Sequence, residues 1–302
     1  MPVRIAYIIL AHRAPWQLHR LVQRLRGPGV HFVLHLDANS WGPEWDLLTN
    51  ELTGPDIMWA PRVTCRWGDF SLIHATLGCL KALNNLATDF DFVTLLSGQD
   101  YPVKPRSFFS EYLASRRGQC LMFIYPFPFP HWVNGGYHRL PTWRIPLPGK
   151  PRRILPPQLL GFRHKKLPFG YHPFGGSQWW CLPGEAVQYI HEFVEAHPAF
   201  VHYFRQAMIP DEMFFHTILG NSHFKIDPGP NNITYAKWRG GPNPIVLTAA
   251  DLDEITDSDY LFARKFDMNE DPELLDRIDT ELIGIDPRVG SSYRGGRATS
   301  AG

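Results

Sequence analysis

No stretch of this 302-residue chain holds the roughly 18 consecutive apolar residues that a membrane span needs. No signal-peptide pattern precedes the first apolar run, Arg4-Ile5-Ala6-Tyr7-Ile8-Ile9-Leu10. A soluble, cytoplasmic protein is expected. Cysteine is scarce: Cys65, Cys79, Cys120 and Cys181 lie far apart with no C-x-x-C pair, which argues against a disulfide framework or zinc site and predicts buried reduced thiols. Charge of one sign is also missing. A net charge of +1 argues against a nucleic-acid binder held by phosphate contacts. The first apolar run leads into Ala11-His12-Arg13-Ala14-Pro15, not G-x-G-x-x-G, so the phosphate-cradling turn of a dinucleotide oxidoreductase is absent. There is no internal repeat.

Aromatic residues and proline are plentiful, with 10 Trp, 11 Tyr, 20 Phe and 28 Pro. Aromatic side chains fill cores. They also line sugar-binding clefts, because the apolar face of a pyranose stacks on an aromatic ring. Along the chain, residues 4–10, 31–36, 57–60 and 92–96 read as strands. Helical spacing occupies 16–25, 44–52 and 71–86 between them. This alternation predicts an α/β fold with a mostly parallel central sheet flanked by helices. Residues 125–174, crowded with Pro, Gly, His and basic residues, read as long loops. Their clusters Arg152-Arg153 and Arg163-His164-Lys165-Lys166 read as solvated faces, or as contacts to an acceptor or an anionic membrane surface. Helices are expected over 184–196, 210–219 and 271–282, β structure over 233–247, and a disordered tail over 289–302. One domain over 1–288 is predicted.

Several segments end strands or open helices with residues that can do chemistry. The strand closing at Leu96 delivers Ser97-Gly98-Gln99-Asp100-Tyr101-Pro102 to its carboxyl end, where open α/β sheets build their sites. Asp37, at the end of the second strand, suits a nucleotide's hydroxyls or a turn cap. Ser71, after Trp67-Gly68-Asp69-Phe70, reads as a helix N-cap. In Gly175-Gly176-Ser177-Gln178-Trp179-Trp180, the glycines allow close backbone approach and the two indoles face opposite ways, as a stacking face and a core anchor. A structural β-bulge is the alternative. Pro210-Asp211-Glu212 opens a predicted helix, where carboxylates also stabilise the dipole.

In sequence order these segments resemble the core-2/I-branching β-1,6-N-acetylglucosaminyltransferase family (glycosyltransferase family 14) and its peptide O-xylosyltransferase relatives. The carriers are Ser97-Gly98-Gln99-Asp100-Tyr101-Pro102, His35-Leu36-Asp37, Trp67-Gly68-Asp69-Phe70-Ser71-Leu72, the Gly-Ser-x-Trp part of Gly176–Trp179, Pro210-Asp211-Glu212 and Leu261-Phe262-Ala263-Arg264-Lys265-Phe266-Asp267. Asp69 replaces a glycine of the family's pattern. The resemblance implies a GT-A-like nucleotide-sugar transferase fold, with a nucleotide-binding half (1–125), an acceptor region (126–174) and a catalytic half (175–288). It implies an inverting, metal-independent enzyme that moves GlcNAc, or alternatively xylose, from a UDP-sugar to a hydroxyl of a glycan, peptide or small molecule. A non-catalytic carbohydrate-binding protein is the other alternative. Animal members carry an amino-terminal anchor, and its absence here suggests a bacterial-type cytosolic enzyme.

Carried over residue by residue, Glu212 is the catalytic base, taking the acceptor hydroxyl's proton during attack. Asp37, Lys265, Arg264, Arg239, Ala11 and Trp67 would hold UDP. Gln99, Asp100, Ser177, Trp179, Trp180, Tyr137 and Trp238 would meet the donor and acceptor sugars. Lys265 and Arg239 read otherwise as surface cations. No cofactor or metal is expected, because a pair of basic side chains can neutralise the leaving diphosphate. Asp89-Phe90-Asp91 has the letters of a metal-binding D-x-D motif but precedes its strand. His191-Glu192 with Glu195 and His197 is not H-E-x-x-H, because the second histidine comes too late, and reads as a solvated helix face.

Overall fold

Alternate residues of the first strand face opposite layers, and both layers are apolar. In β1 (Ile5–Ala11), Ile5, Tyr7 and Ile9 enter one core and Ala6, Ile8 and Leu10 the other. Such a strand is stable only in a sheet covered on both sides. The computed structural model describes residues 3–288, except 87, 142–145, 148–149, 155–164, 225, 227–228, 231 and 242; for 146–147, 150–154 and 229–230 it describes the backbone. The predicted disordered tail, Arg163, His164 and the side chains of Arg152 and Arg153 lie outside the described residues; Lys165 Nζ donates to Gln206 Oε1 at 2.8 Å.

After β1 come α1 (Pro15–Leu25), β2 (Val30–Leu36), α2 (Pro43–Glu51), β3 (Ile57–Trp59), α3 (Ser71–Asn84) and β4 (Phe92–Ser97). β4, β1, β2 and β3 pair in parallel in that spatial order, as the alternating pattern predicts. Leu18, Leu21, Val22 and Leu25 form the buried stripe of α1, each contributing about 1.5–3 kcal/mol by burial. β5 (Asp100–Pro102), α4 (Arg106–Ala114) and β6 (Leu121–Pro126) follow, then a small hairpin, β7 (Pro146–Leu147) with β8 (Lys150–Ile154). β9 (Phe174–Pro183) pairs antiparallel with both β4 and β6, and β10 (Gly229–Pro230) closes that edge. Among the described residues the sheet therefore has seven strands, with a parallel amino-terminal half and an antiparallel second half.

α5 (Gly184–Ala196), α6 (Pro198–Phe204) and α7 (Phe214–Gly220) join α3 on one face. α1, α2 and α4 cover the other, with α8 (Leu252–Thr256) and α9 (Pro272–Arg277). β11 (Thr234–Ala236) and β12 (Phe262–Arg264) form a small sheet with β5, in which Arg264 stands opposite Asp100. The carboxy-terminal segment is anchored by Asp279, which is fully buried and receives Arg20, Arg24 and the Tyr101 hydroxyl.

Some predicted elements differ. The helix expected over 210–219 is divided: a 3-10 turn, Pro210–Glu212, is separated from α7 by Met213 at φ −135°. At the break, Met213 N–H donates to Pro210 O at 3.0 Å, closing the 3-10 turn, and Met213 O accepts Thr217 N–H at 2.8 Å, opening α7. The helix expected over 271–282 ends at Arg277 and continues as a π-turn, Ile278–Ile283. The β-rich 233–247 stretch contributes only β11 among the described residues. α4 and α6 were not anticipated. All four cysteines are free, and Cys79, Cys120 and Cys181 are buried.

Gly176 shows why this segment of β9 needs glycine. A Cβ there would lie 1.7 Å from the carbonyl oxygen of Phe123, where β6 bulges between Met122 and Ile124. Gly176→Ala is expected to destabilise the protein by about 3 kcal/mol, because the obstacle is backbone. An unchanged urea midpoint would contradict that packing.

Candidate active site

Strand order reverses between β1 and β4, so the connections after them leave in opposite directions and open a crevice at their carboxyl ends. The crevice is a cleft of about 1310 Å³. Ala11, Asp37 and Trp67 line it from the parallel half, and Gln99 from the β4–β5 turn. Ser177 and Trp179 line it from β9, Glu212 from the 3-10 turn, and Trp238, Arg264 and Lys265 from the carboxy-terminal half. Residues distant in sequence thus share one site.

At one end, Asp37 is buried and does what a turn cap does: Oδ1 accepts Asn39 N–H at 2.8 Å and Oδ2 accepts Cys65 N–H at 3.2 Å. Each oxygen retains a second lone pair for a hydroxyl or base edge. Beside it lies a cationic group. Lys265 is half-buried, and its pKa is lowered by burial and then by the neighbouring Arg264, with Arg13 adding to the effect. Burial, Arg13 and Lys265 likewise lower His12, against the pull of Asp37. Arg13 is half-exposed and lies 2.8 Å from the Asp267 carboxylate. His12 and Arg13 both line the cleft. Anions are the natural ligands of such a cluster.

The other end is acidic and aromatic. Glu212 Oε2 is ion-paired with Arg139, whose guanidinium carbon lies 3.7 Å from the Trp132 ring centroid. No described residue hydrogen-bonds Oε1. Asp211 is buried beside Glu212, and its Oδ1 has no hydrogen-bond partner among the described residues. Burial, with the Glu212 charge, pushes its carboxyl up to about 7. The unfolded chain therefore ionises at this residue first, and stability falls between about pH 4 and 7 as pH rises. Asp211→Asn is expected to remove that decline, worth about 3 kcal/mol between the two conditions, when urea midpoints are compared at pH 5 and pH 8. Equal pH dependence in both proteins would contradict a buried neutral acid. β9 is fixed at this point by His216, which burial pushes down to about 4 and whose neutral Nε2–H donates to Ser177 O at 2.9 Å.

Four expected site residues do not line the cleft. Trp180 is fully buried, edge-on to Phe215, so it is the core anchor and Trp179 the cleft face. Tyr137 packs edge-on to Phe127 against the core. Asp100 is fully buried beneath Arg264 and cannot meet a sugar. Arg239 is exposed and absent from the cleft wall. Arg13, Arg139 and Trp132 were not anticipated. Arg13 stands two residues after the first strand end and its position was a readable signal; Arg139 ends a 3-10 segment, Val133–Arg139, whose course spacing does not reveal. Asp91 pairs with Arg117 and Arg4 N–H at the amino end of β4, opposite the cleft. In α5, Glu192 accepts from Gln188 and the His197 Nδ1 contacts Phe193 O, as on a helix face.

Residues 5–257 match the protein-family profile described as Core-2/I-Branching enzyme. The chain is 30% identical over 250 residues to Xylosyltransferase oxt of Drosophila pseudoobscura pseudoobscura, covering 78% of this chain and 26% of that protein. It is 25% identical over 312 residues to Xylosyltransferase of Ciona intestinalis, covering 95% and 35%. With human Xylosyltransferase 2 the identity is 26% over 323 residues, covering 95% and 34%. The chain thus spans about a quarter to a third of the length of these curated relatives. A solved structure, 4-diphosphocytidyl-2C-methyl-D-erythritol synthase of Anaerococcus prevotii, overlaps at a TM-score of 0.34 with 12% identity, covering 84% of this chain and 95% of that one, too loosely to build on.

Proposed function

This chain belongs to the core-2/I-branching enzyme family, and we propose that it transfers a sugar from a UDP-sugar to an acceptor hydroxyl with inversion, without a metal ion. The observation that carries this reading is the sharing of one cleft by a carboxylate, Glu212, and a cationic group, Lys265 with Arg13. Asp37 holds uridine hydroxyls. Arg13 takes the place assigned above to Arg239. The free Oε1 of Glu212 accepts the proton of the attacking hydroxyl while Arg139 holds Oε2. The acceptor oxygen bonds to the anomeric carbon from the face opposite UDP as the bond from that carbon to the β-phosphate oxygen breaks. Negative charge grows on the departing diphosphate, where Lys265 and Arg13 stabilise it. UDP needs no proton to leave, so one carboxylate suffices where a glycosidase uses two. Trp179 and Trp238 flank the sugars.

The relatives' name makes UDP-xylose the first donor to test, and the Ser97-Gly98-Gln99-Asp100 form makes UDP-GlcNAc the second. The test is UDP release from a panel of UDP-sugars in EDTA, with simple glycosides and with serine peptides as acceptors. Acceptor-dependent release that prefers one donor supports the proposal. Binding of UDP-sugar with no turnover for any acceptor would favour the binding-only alternative.

A further inference from the structure

Arg264 and Lys265 are adjacent, but their surroundings differ. Lys265 is grouped with Arg13 and His12. Arg264 borders the cleft but is buried, at 8% exposure. The antiparallel register of β12 and β5 sets it opposite Asp100, which is fully buried. Arg264 Nε lies 2.8 Å from Asp100 Oδ1, an ion pair whose angle is not that of a hydrogen bond. The other oxygen, Oδ2, accepts Ser97 N–H, and an Arg264 terminal N–H donates to Ser97 Oγ at 3.4 Å. The guanidinium carbon then lies 4.1 Å from the Trp179 ring centroid. A planar cation against an indole is a favoured arrangement that an ammonium does not reproduce.

We propose that Arg264 is a positioning residue: fixed by the buried Asp100 carboxylate, it sets the Trp179 indole as a wall of the cleft and does not ligate the diphosphate. The sugar-facing wall is thereby tied to the β4–β5 turn, so the Ser97–Asp100 segment shapes the donor site from beneath. The functional part of this inference rests on the UDP-sugar reading above.

Removing one charge leaves the other buried and unpaired, which can unfold the protein. The test therefore uses Arg264→Lys and the charge-neutral double variant Asp100→Asn/Arg264→Met. Protein labelled with 5-fluorotryptophan gives a fluorine resonance for Trp179, assigned by its loss in Trp179→Phe. In both variants that resonance is expected to shift or broaden. UDP affinity by titration should stay within about threefold of wild type, while kcat/KM falls by about tenfold or more. A tenfold or larger loss of UDP affinity, or an unmoved Trp179 resonance, would overturn the proposal. If wild-type protein binds no UDP, the transferase reading fails, while the fluorine spectrum still decides whether Arg264 holds Trp179.

Discussion

Replacing Glu212 with Gln is expected to lower transfer by about 10³-fold while leaving UDP affinity within about threefold of wild type. The amide keeps the size of the carboxylate and can still accept a hydrogen bond from the acceptor hydroxyl. It cannot take the proton as the hydroxyl oxygen attacks. UDP should be indifferent, because the cations assigned to the diphosphate are Lys265 and Arg13, whereas Glu212 is ion-paired with Arg139. Asp211→Asn is the comparison. Asp211 also lines the cleft, but it is buried where Glu212 is partly exposed, so an acceptor hydroxyl reaches Glu212 more readily. Turnover measured with saturating donor and acceptor separates the two carboxylates. Near-normal turnover in Glu212→Gln, or a larger loss in Asp211→Asn, would move the base from one to the other.

Lys265→Met should produce the second large effect, weakening UDP binding by about 10- to 100-fold, as expected for one charge-assisted contact to phosphate in a partly desolvated site. Burial and neighbouring cations already lower the pKa of this amine, so an arriving anion relieves repulsion among Lys265, Arg264 and Arg13. Arg13→Met should cost less, because Arg13 is half-exposed and shared with Asp267. Arg239→Met should leave binding unchanged. Equal losses for Lys265 and Arg239 in UDP titrations would contradict this division of the cations.

The parallel half of the fold was legible because its strands are nearly continuous apolar runs and its helices carry single apolar stripes. β6 and β9 were harder to place, since period-2 alternation does not reveal whether a strand runs parallel or antiparallel to its neighbour. A place in the cleft was legible where it depends on the residue's own segment: Asp37 and Gln99 at strand ends, Glu212 after Pro210. It was not legible where a role depends on distant partners. Alternation showed that one of Trp179 and Trp180 faces the core; burial of Trp180 against Phe215 decided which. Nothing local tells that Asp100 lies beneath Arg264, because that pairing joins β5 to β12 across 164 residues of chain. The same holds for Arg139, which reaches Glu212 from a 3-10 segment 73 residues earlier. The 210–219 helix is broken at Met213, where a 3-10 turn closes on Pro210 O before α7 begins, a change of hydrogen-bond pattern that apolar spacing does not encode.

The most direct test of the central claim is calorimetric titration of the wild-type protein with UDP in EDTA. One saturable site per chain, weakened by Lys265→Met and retained in Glu212→Gln, is the predicted result. Absence of binding in EDTA, with binding restored by Mn²⁺, would contradict a diphosphate held by side-chain cations alone.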